Sequence, residues 1–133
     1  MPITHLYTLV CDDVRVENNG KLIVIGLYTP NVLVPQLPFA FSTFTFLQAF
    51  QSDRAGQFTF RAHLQHVESG QHLAQALGTI SVVQPGMGVG VVRFGNIRFD
   101  RVGSYHYIFT FDGEPEPFLT SFDVVLQVMQ QPG

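Results

Sequence analysis

Apolar residues recur at every second position along much of this chain, and a side-chain period of two marks a strand with one buried face. Tyr105, Tyr107, Phe109 and Phe111 alternate with His106, Ile108, Thr110 and Asp112. Phe118, Thr120, Phe122, Val124, Leu126 and Val128 lie opposite Ser121, Asp123 and Gln127. Phe58, Phe60, Ala62, Leu64 and His66 are opposed by Thr59, Arg61, His63 and Gln65. Ile3 to Cys11 alternates more weakly, and Leu77 to Val83 forms a further short strand. Leu22 to Tyr28 is apolar on both faces, as expected of a central strand covered on both sides.

Two stretches change phase partway. The aromatics of the first sit at Phe39 and Phe41, then at Phe44, Phe46 and Phe50, so the parity slips at Ser42-Thr43. Val92 and Phe94 share one parity, Ile97 and Phe99 the other, with Gly95-Asn96 between. The first slip predicts a β-bulge, or a loop that ends where the strand begins, and the second, at a glycine, does the same.

The turn chemistry agrees with strands. Asn18-Asn19-Gly20 predicts a type I′ hairpin turn, because Asn-Gly tolerates the positive φ that turn requires. Asp112-Gly113 predicts a second hairpin. Pro30, Pro35 and Pro38 punctuate a crossing from Tyr28 to Phe39, since proline cannot donate to a ladder. The best helical candidate, His66 to Leu77, is interrupted by Ser69-Gly70. Roughly seven to nine short strands predict an all-β domain over residues 1–133, a single antiparallel β-sandwich of Ig-like type, with a barrel as the alternative.

Composition narrows the function classes. Charged residues make up 13% of the chain, about half the globular norm, and 46% are hydrophobic, which excludes intrinsic disorder. The net charge is -3, with a single lysine, which argues against nucleic acid as a partner. Arg93, Arg98 and Arg101 are the only basic concentration and fit solvent-facing strand positions that blunt a sheet edge. No apolar run approaches the about 20 residues of a membrane helix, and the first residues lack a secretory pattern, so a cytoplasmic location is expected. Cys11 is the only cysteine; beside Asp12 and Asp13 its thiol pKa should rise, which suits a buried small hydrophobe and not a nucleophile.

Motifs with chemical potential each have a simpler explanation. Among His5, His63, His66, His72 and His106, the pair His63 and His66 would point to opposite faces of a strand, whereas His66 and His72 could approach across a turn. No two-His-plus-carboxylate pattern is present, so neither metal nor cofactor is expected. Gly86, Met87, Gly88, Val89 and Gly90 resemble a phosphate loop superficially, but they lead into the strand-like Val91-Val92-Arg93-Phe94 and not into a helix. They are expected to form a flexible interstrand loop at the rim of a ligand or partner surface. Asp12, Asp13, Glu17 and Asn18 lack the alternation of a calcium loop and have Arg15 and Lys21 nearby to neutralise them. Glu114 and Glu116 flank prolines in a turn, and no Ser-His-Asp elbow is visible.

The run Cys11-Asp12-Asp13-Val14-Arg15, then Asn19-Gly20-Lys21-Leu22-Ile23-Val24-Ile25-Gly26-Leu27-Tyr28, resembles a family of small bacterial β-sandwich proteins with no assigned activity. Pro35-Gln36-Leu37-Pro38, Gly103-Ser104-Tyr105 and Asp112-Gly113 extend that resemblance over most of the chain. It implies one β-sandwich domain and transfers no catalytic residue. Asp100 to Tyr105 also looks like the tyrosine corner of Ig-type sandwiches, with Gly103 and Tyr105 as the structural pair, although the Cys-Trp-Cys core is missing.

With thirteen Phe and no catalytic constellation, the chain is expected to be a non-enzymatic interaction or assembly module. It would form a homodimer, or meet another protein, through an aromatic-rich sheet face. A small-ligand or carbohydrate binder using Gly86 to Gly90 and the Tyr28-to-Phe39 crossing is the first alternative, and a hydrolase on a β scaffold the second.

Overall fold

A computed structural model describes residues 3–127. Nine strands and no helix occupy them: β1 Ile3–Val16, β2 Leu22–Leu27, β3 Asn31–Val34, β4 Phe39–Ser52, β5 Gly56–His66, β6 His72–Val82, β7 Gly86–Phe99, β8 Gly103–Phe111 and β9 Phe118–Leu126. They form a four-stranded sheet, β2-β1-β4-β7, and a five-stranded sheet, β3-β9-β8-β5-β6. The three clearest alternating runs became β5, β8 and β9; Val128 lies outside the described residues. The expected antiparallel sandwich needs correcting in two respects. β3 runs parallel to β9, and the four-stranded sheet curls into a half-barrel.

The inner faces of the two sheets meet in one aromatic core. Phe46 of β4 stacks on Tyr107 of β8 with ring centroids 3.8 Å apart and planes 3° from parallel. Phe44 reaches Phe122 at 5.7 Å, Phe50 reaches Phe111 at 5.1 Å, and Phe99 meets Tyr105 edge-on at 5.1 Å. Burial on β5 and β8 follows the alternation read from the sequence, residue by residue. All thirteen Phe are buried or half-buried. An aromatic face is therefore not what this molecule shows to solvent.

One polar pair sits in that core. Tyr107 Oη donates to Gln48 Oε1 at 2.8 Å, both side chains fully buried, while Gln48 Nε2 has no partner among the described residues. Burial pushes the Tyr107 hydroxyl far above its ordinary pKa, so it stays a donor. Tyr107→Phe should lower stability by about 1–3 kcal/mol, because both ends of the Gln48 amide are then buried without partners. Adding Gln48→Met should recover at least half of that loss, since removing both polar partners of a buried pair is nearly neutral. Urea denaturation of the two variants measures both effects. A double variant no more stable than the single one contradicts this account.

The phase slips have two different origins. Leu6 interrupts the β1–β4 ladder between His5 and Tyr7, so Ile3 and His5 face the core before it, and Val10 after it. This bulge is why Ile3 to Cys11 alternates weakly. The slips at Ser42-Thr43 and Gly95-Asn96 are not bulges: Phe41 pairs with Ile97 and Thr43 with Gly95, in one unbroken register. The two irregularities lie opposite one another, with Asn96 at φ 52, and cancel. A second bulge, at Leu73, shifts β6 against β5.

Other expectations change as well. No helix forms over His66–Leu77: β5 and β6 make a hairpin whose connection holds a single α-turn, Gly70 N–H donating to His66 C=O at 2.9 Å, and β6 begins at His72. The β1–β2 turn is not type I′, since only Gly20 (φ 86) has positive φ there. Gly20 N–H donates to Glu17 C=O at 2.9 Å, which makes a three-residue loop closed by a glycine. The proline-punctuated crossing contains the unforeseen β3, whose Val32 and Val34 are fully buried. Leu22 to Tyr28 does not supply a central strand: β2 is the edge of its sheet.

Candidate functional site

The four-stranded sheet is apolar on both faces. Its outer face carries a second cluster of buried Cys11, Val14 and Leu47, against which Leu9, Val24, Val89 and Val91 pack half-buried. The curl makes this possible. Arg93 of β7 arches over Thr45 of β4 to reach β1, where its Nε donates to Asp13 Oδ1 at 2.7 Å and its Nη2 to Val14 C=O at 2.6 Å. That guanidinium, followed by the Val14 N–H, holds the Asp13 carboxyl below the usual carboxylate range. Thr45 and Cys11 beneath it are fully buried. Burial, then Asp12 and Asp13, push the Cys11 thiol up, as the sequence implied.

At the rim of this trough lies β2. Leu22, Ile23, Ile25 and Leu27 are 38%, 42%, 37% and 58% exposed, and the strand contains neither charge nor proline. Its far end is pinned from within. Gly26, at φ 65, lies so close to the Asp12 carboxylate that a Cβ would collide with it, and Asp12 Oδ1 accepts from Tyr28 Oη. Burial and then this carboxylate raise the Tyr28 hydroxyl pKa. Of the other three edge strands, β6 and β7 lie against one another, with Ile80 packed on Gly90, and β3 has four residues and stands between Pro30 and Pro35.

Gly86, Met87, Gly88, Val89 and Gly90 do not form a loop. They open β7 and pair with β4 from Ser52 to Gln48. Gly88 lies under the Phe50 ring, where a Cβ would stand 2.6 Å from its edge, and Gly90 leaves room for Ile80 and Gln48. These glycines serve packing, which the sequence pattern alone does not separate from flexibility. Gly103 and Tyr105 are brought together as a corner: Gly103 takes φ 112, and Tyr105 Oη donates to Arg101 C=O at 2.6 Å.

The histidines divide. His5 Nε2 bonds Thr8 Oγ1 at 2.8 Å while its ring stacks on Phe118. His66 is buried, bonded to Ser69 Oγ at 2.7 Å and to Val102 C=O at 3.0 Å. It does not approach His72; that neighbour is His63, with ring centroids 5.4 Å apart. Among the described residues no group of three His, Cys, Asp or Glu is placed to hold an ion, and no helix is long and apolar enough to cross a membrane.

Several solved structures share this fold at low identity. The Pseudomonas fluorescens alkylpurine DNA glycosylase AlkC, bound to DNA containing an abasic site analog, is 9% identical with a TM-score of 0.55, over 92% of this chain and 30% of that one. The C-terminal domain of wzt is 12% identical with a TM-score of 0.50, over 97% and 75% of the two chains. A mutant β-glucosidase from Listeria innocua in complex with laminaribiose is 8% identical with a TM-score of 0.51, over 76% of this chain and only 15% of that enzyme. Likeness at such identities shows the fold alone. No curated protein matches the sequence. Residues 6–123 match the model of one family, and the chain accordingly belongs to DUF6941, a family of unknown function.

Proposed function

We propose that this protein is a non-enzymatic assembly module, a cytoplasmic β-sandwich of Ig-like kind that pairs with a second copy of itself along β2. The observation that carries this reading is the open, uncharged, aliphatic edge of the four-stranded sheet. Natural proteins blunt such edges with charges, prolines or bulges, because a row of free backbone N–H and C=O groups templates strand addition. The β3 edge is short and flanked by prolines, and β2 has neither protection. An antiparallel β2–β2 contact would extend the sheet across a two-fold axis and cover Leu22, Ile23, Ile25 and Leu27 from both copies. Exposed Lys21 precedes β2 and the Asp12 carboxylate lies against its far end at Gly26, so the same contact brings each lysine near the partner's carboxylate. The surface expected from the sequence was aromatic; this one is aliphatic, because the Phe side chains are spent on the core.

Light scattering coupled to size exclusion at tens of micromolar should give twice the chain mass. The double variant Ile23→Lys, Ile25→Lys should shift it to monomer, since two charges on a strand edge oppose pairing. Both positions are exposed, so the variant's thermal midpoint, measured well below the dissociation concentration, should stay near the parent's. A parent that is monomeric at these concentrations, or a variant that remains a dimer, overturns the proposal.

A further inference from the structure

We propose that His63 and His72 form a two-imidazole site for a divalent transition metal on the outer face of the five-stranded sheet. The site is independent of the β2 edge. His63 lies on β5 and His72 on β6, their rings tilted by 38° with centroids 5.4 Å apart. Take a metal about 2.1 Å from one nitrogen of each ring, hence about 3.2 Å from each centroid. A roughly tetrahedral angle at the metal then puts the centroids about 5.2 Å apart. The spacing in the fold is that of a chelate before any side chain moves.

The backbone is arranged to produce this pair. Downstream of the hairpin's end the ladder joins His63 to Gln75 and Leu64 to Ala74, but the next pair is Gln65 with His72. Leu73 is thus an extra residue on β6. Without it His72 would fall on the opposite parity from the position it takes, beside Gln65 on the face that His63 shares. Bulges re-aim side chains in this way. The two rings also differ from His5 and His66, whose nitrogens are bonded within the protein: among the described residues neither His63 nor His72 has a hydrogen-bond partner.

The surroundings set the character of the site. His63 is half-buried, and burial, followed by His72 and Arg61, lowers its pKa, so the ring is neutral and able to coordinate near pH 7. His72 is exposed, which leaves the remaining metal positions open to water. Gln65 and Gln75 flank the pair on the same face, and Arg61 on β5 is engaged with Asp112 at 3.9 Å. His106 lies one strand further along the row, opposite Gln65. Two imidazoles, no thiolate and no carboxylate select nickel, copper(II) or zinc over calcium or magnesium.

Calorimetric titration of the untagged chain with nickel chloride at pH 7.5 should show one ion per chain. His63→Ala and His72→Ala should each weaken binding at least tenfold, whereas His106→Ala should change it less than twofold. Both substitutions lie at solvent-reachable positions, and an unchanged thermal midpoint without metal confirms that each variant is folded. No heat of binding up to millimolar nickel, or an affinity that survives in the doubly substituted chain, overturns the proposal.

Discussion

Phe46→Ala should cost about 3–5 kcal/mol, the range for removing a fully buried aromatic ring, against a total stability of about 5–15 kcal/mol for a domain of this kind. Phe46 is where the two sheets are joined. Its ring lies flat on Tyr107 from the opposite sheet, and it meets Phe44 edge-on at 5.5 Å and Phe94 at 6.0 Å. The void left by alanine is ringed by side chains that cannot close it, because Phe44 and Tyr107 are fully buried and packed on their other sides. Phe58 provides the comparison. It sits 8% exposed at the margin, with Phe111 at 6.0 Å and Arg54 over its ring at 5.2 Å, so Phe58→Ala should cost less than Phe46→Ala. Urea unfolding followed by tyrosine fluorescence gives both values. A loss below about 2 kcal/mol for Phe46→Ala is inconsistent with one continuous core shared by the two sheets.

β5, β8 and β9 were legible because their alternation is unbroken: every inward position from Phe58 to His66 and from Tyr105 to Phe111 is buried. What was not legible depends on partners distant in sequence. A lone phase slip looks the same whether it is a bulge, as at Leu6, or half of a matched pair, as at Ser42 and Asn96, and only the facing strand distinguishes them. β2 misled for a related reason. Apolar residues on both faces mark a strand covered twice, and here one face looks into the second cluster while the edge and much of the side-chain surface stay open. The proximity of His63 and His72 was hidden by Leu73, since counting by twos assigns His72 the wrong face. The corner at Gly103 and Tyr105 was readable because its geometry is local, a hydroxyl bonded to a carbonyl four residues back.

Gly88→Val should lower stability by about 2–3 kcal/mol, although a flexible interstrand loop at Gly86 to Gly90 would absorb it almost without effect. Gly88 pairs directly across the ladder with Phe50, and the missing side chain is the space the Phe50 ring fills. Any Cβ there would come within 2.6–2.7 Å of two ring carbons, and Phe50 is itself fully buried, packed edge-on against Phe111. The neighbouring position separates strand from loop. Met87, 63% exposed, points away from the core, so Met87→Ala should stay within about 0.5 kcal/mol of the parent. Combining Gly88→Val with Phe50→Ala exchanges volume between paired residues. The double variant should therefore be more stable than the sum of the single losses by at least about 1 kcal/mol. Additive losses, or a tolerated valine, would mean that Phe50 does not rest on Gly88 in solution.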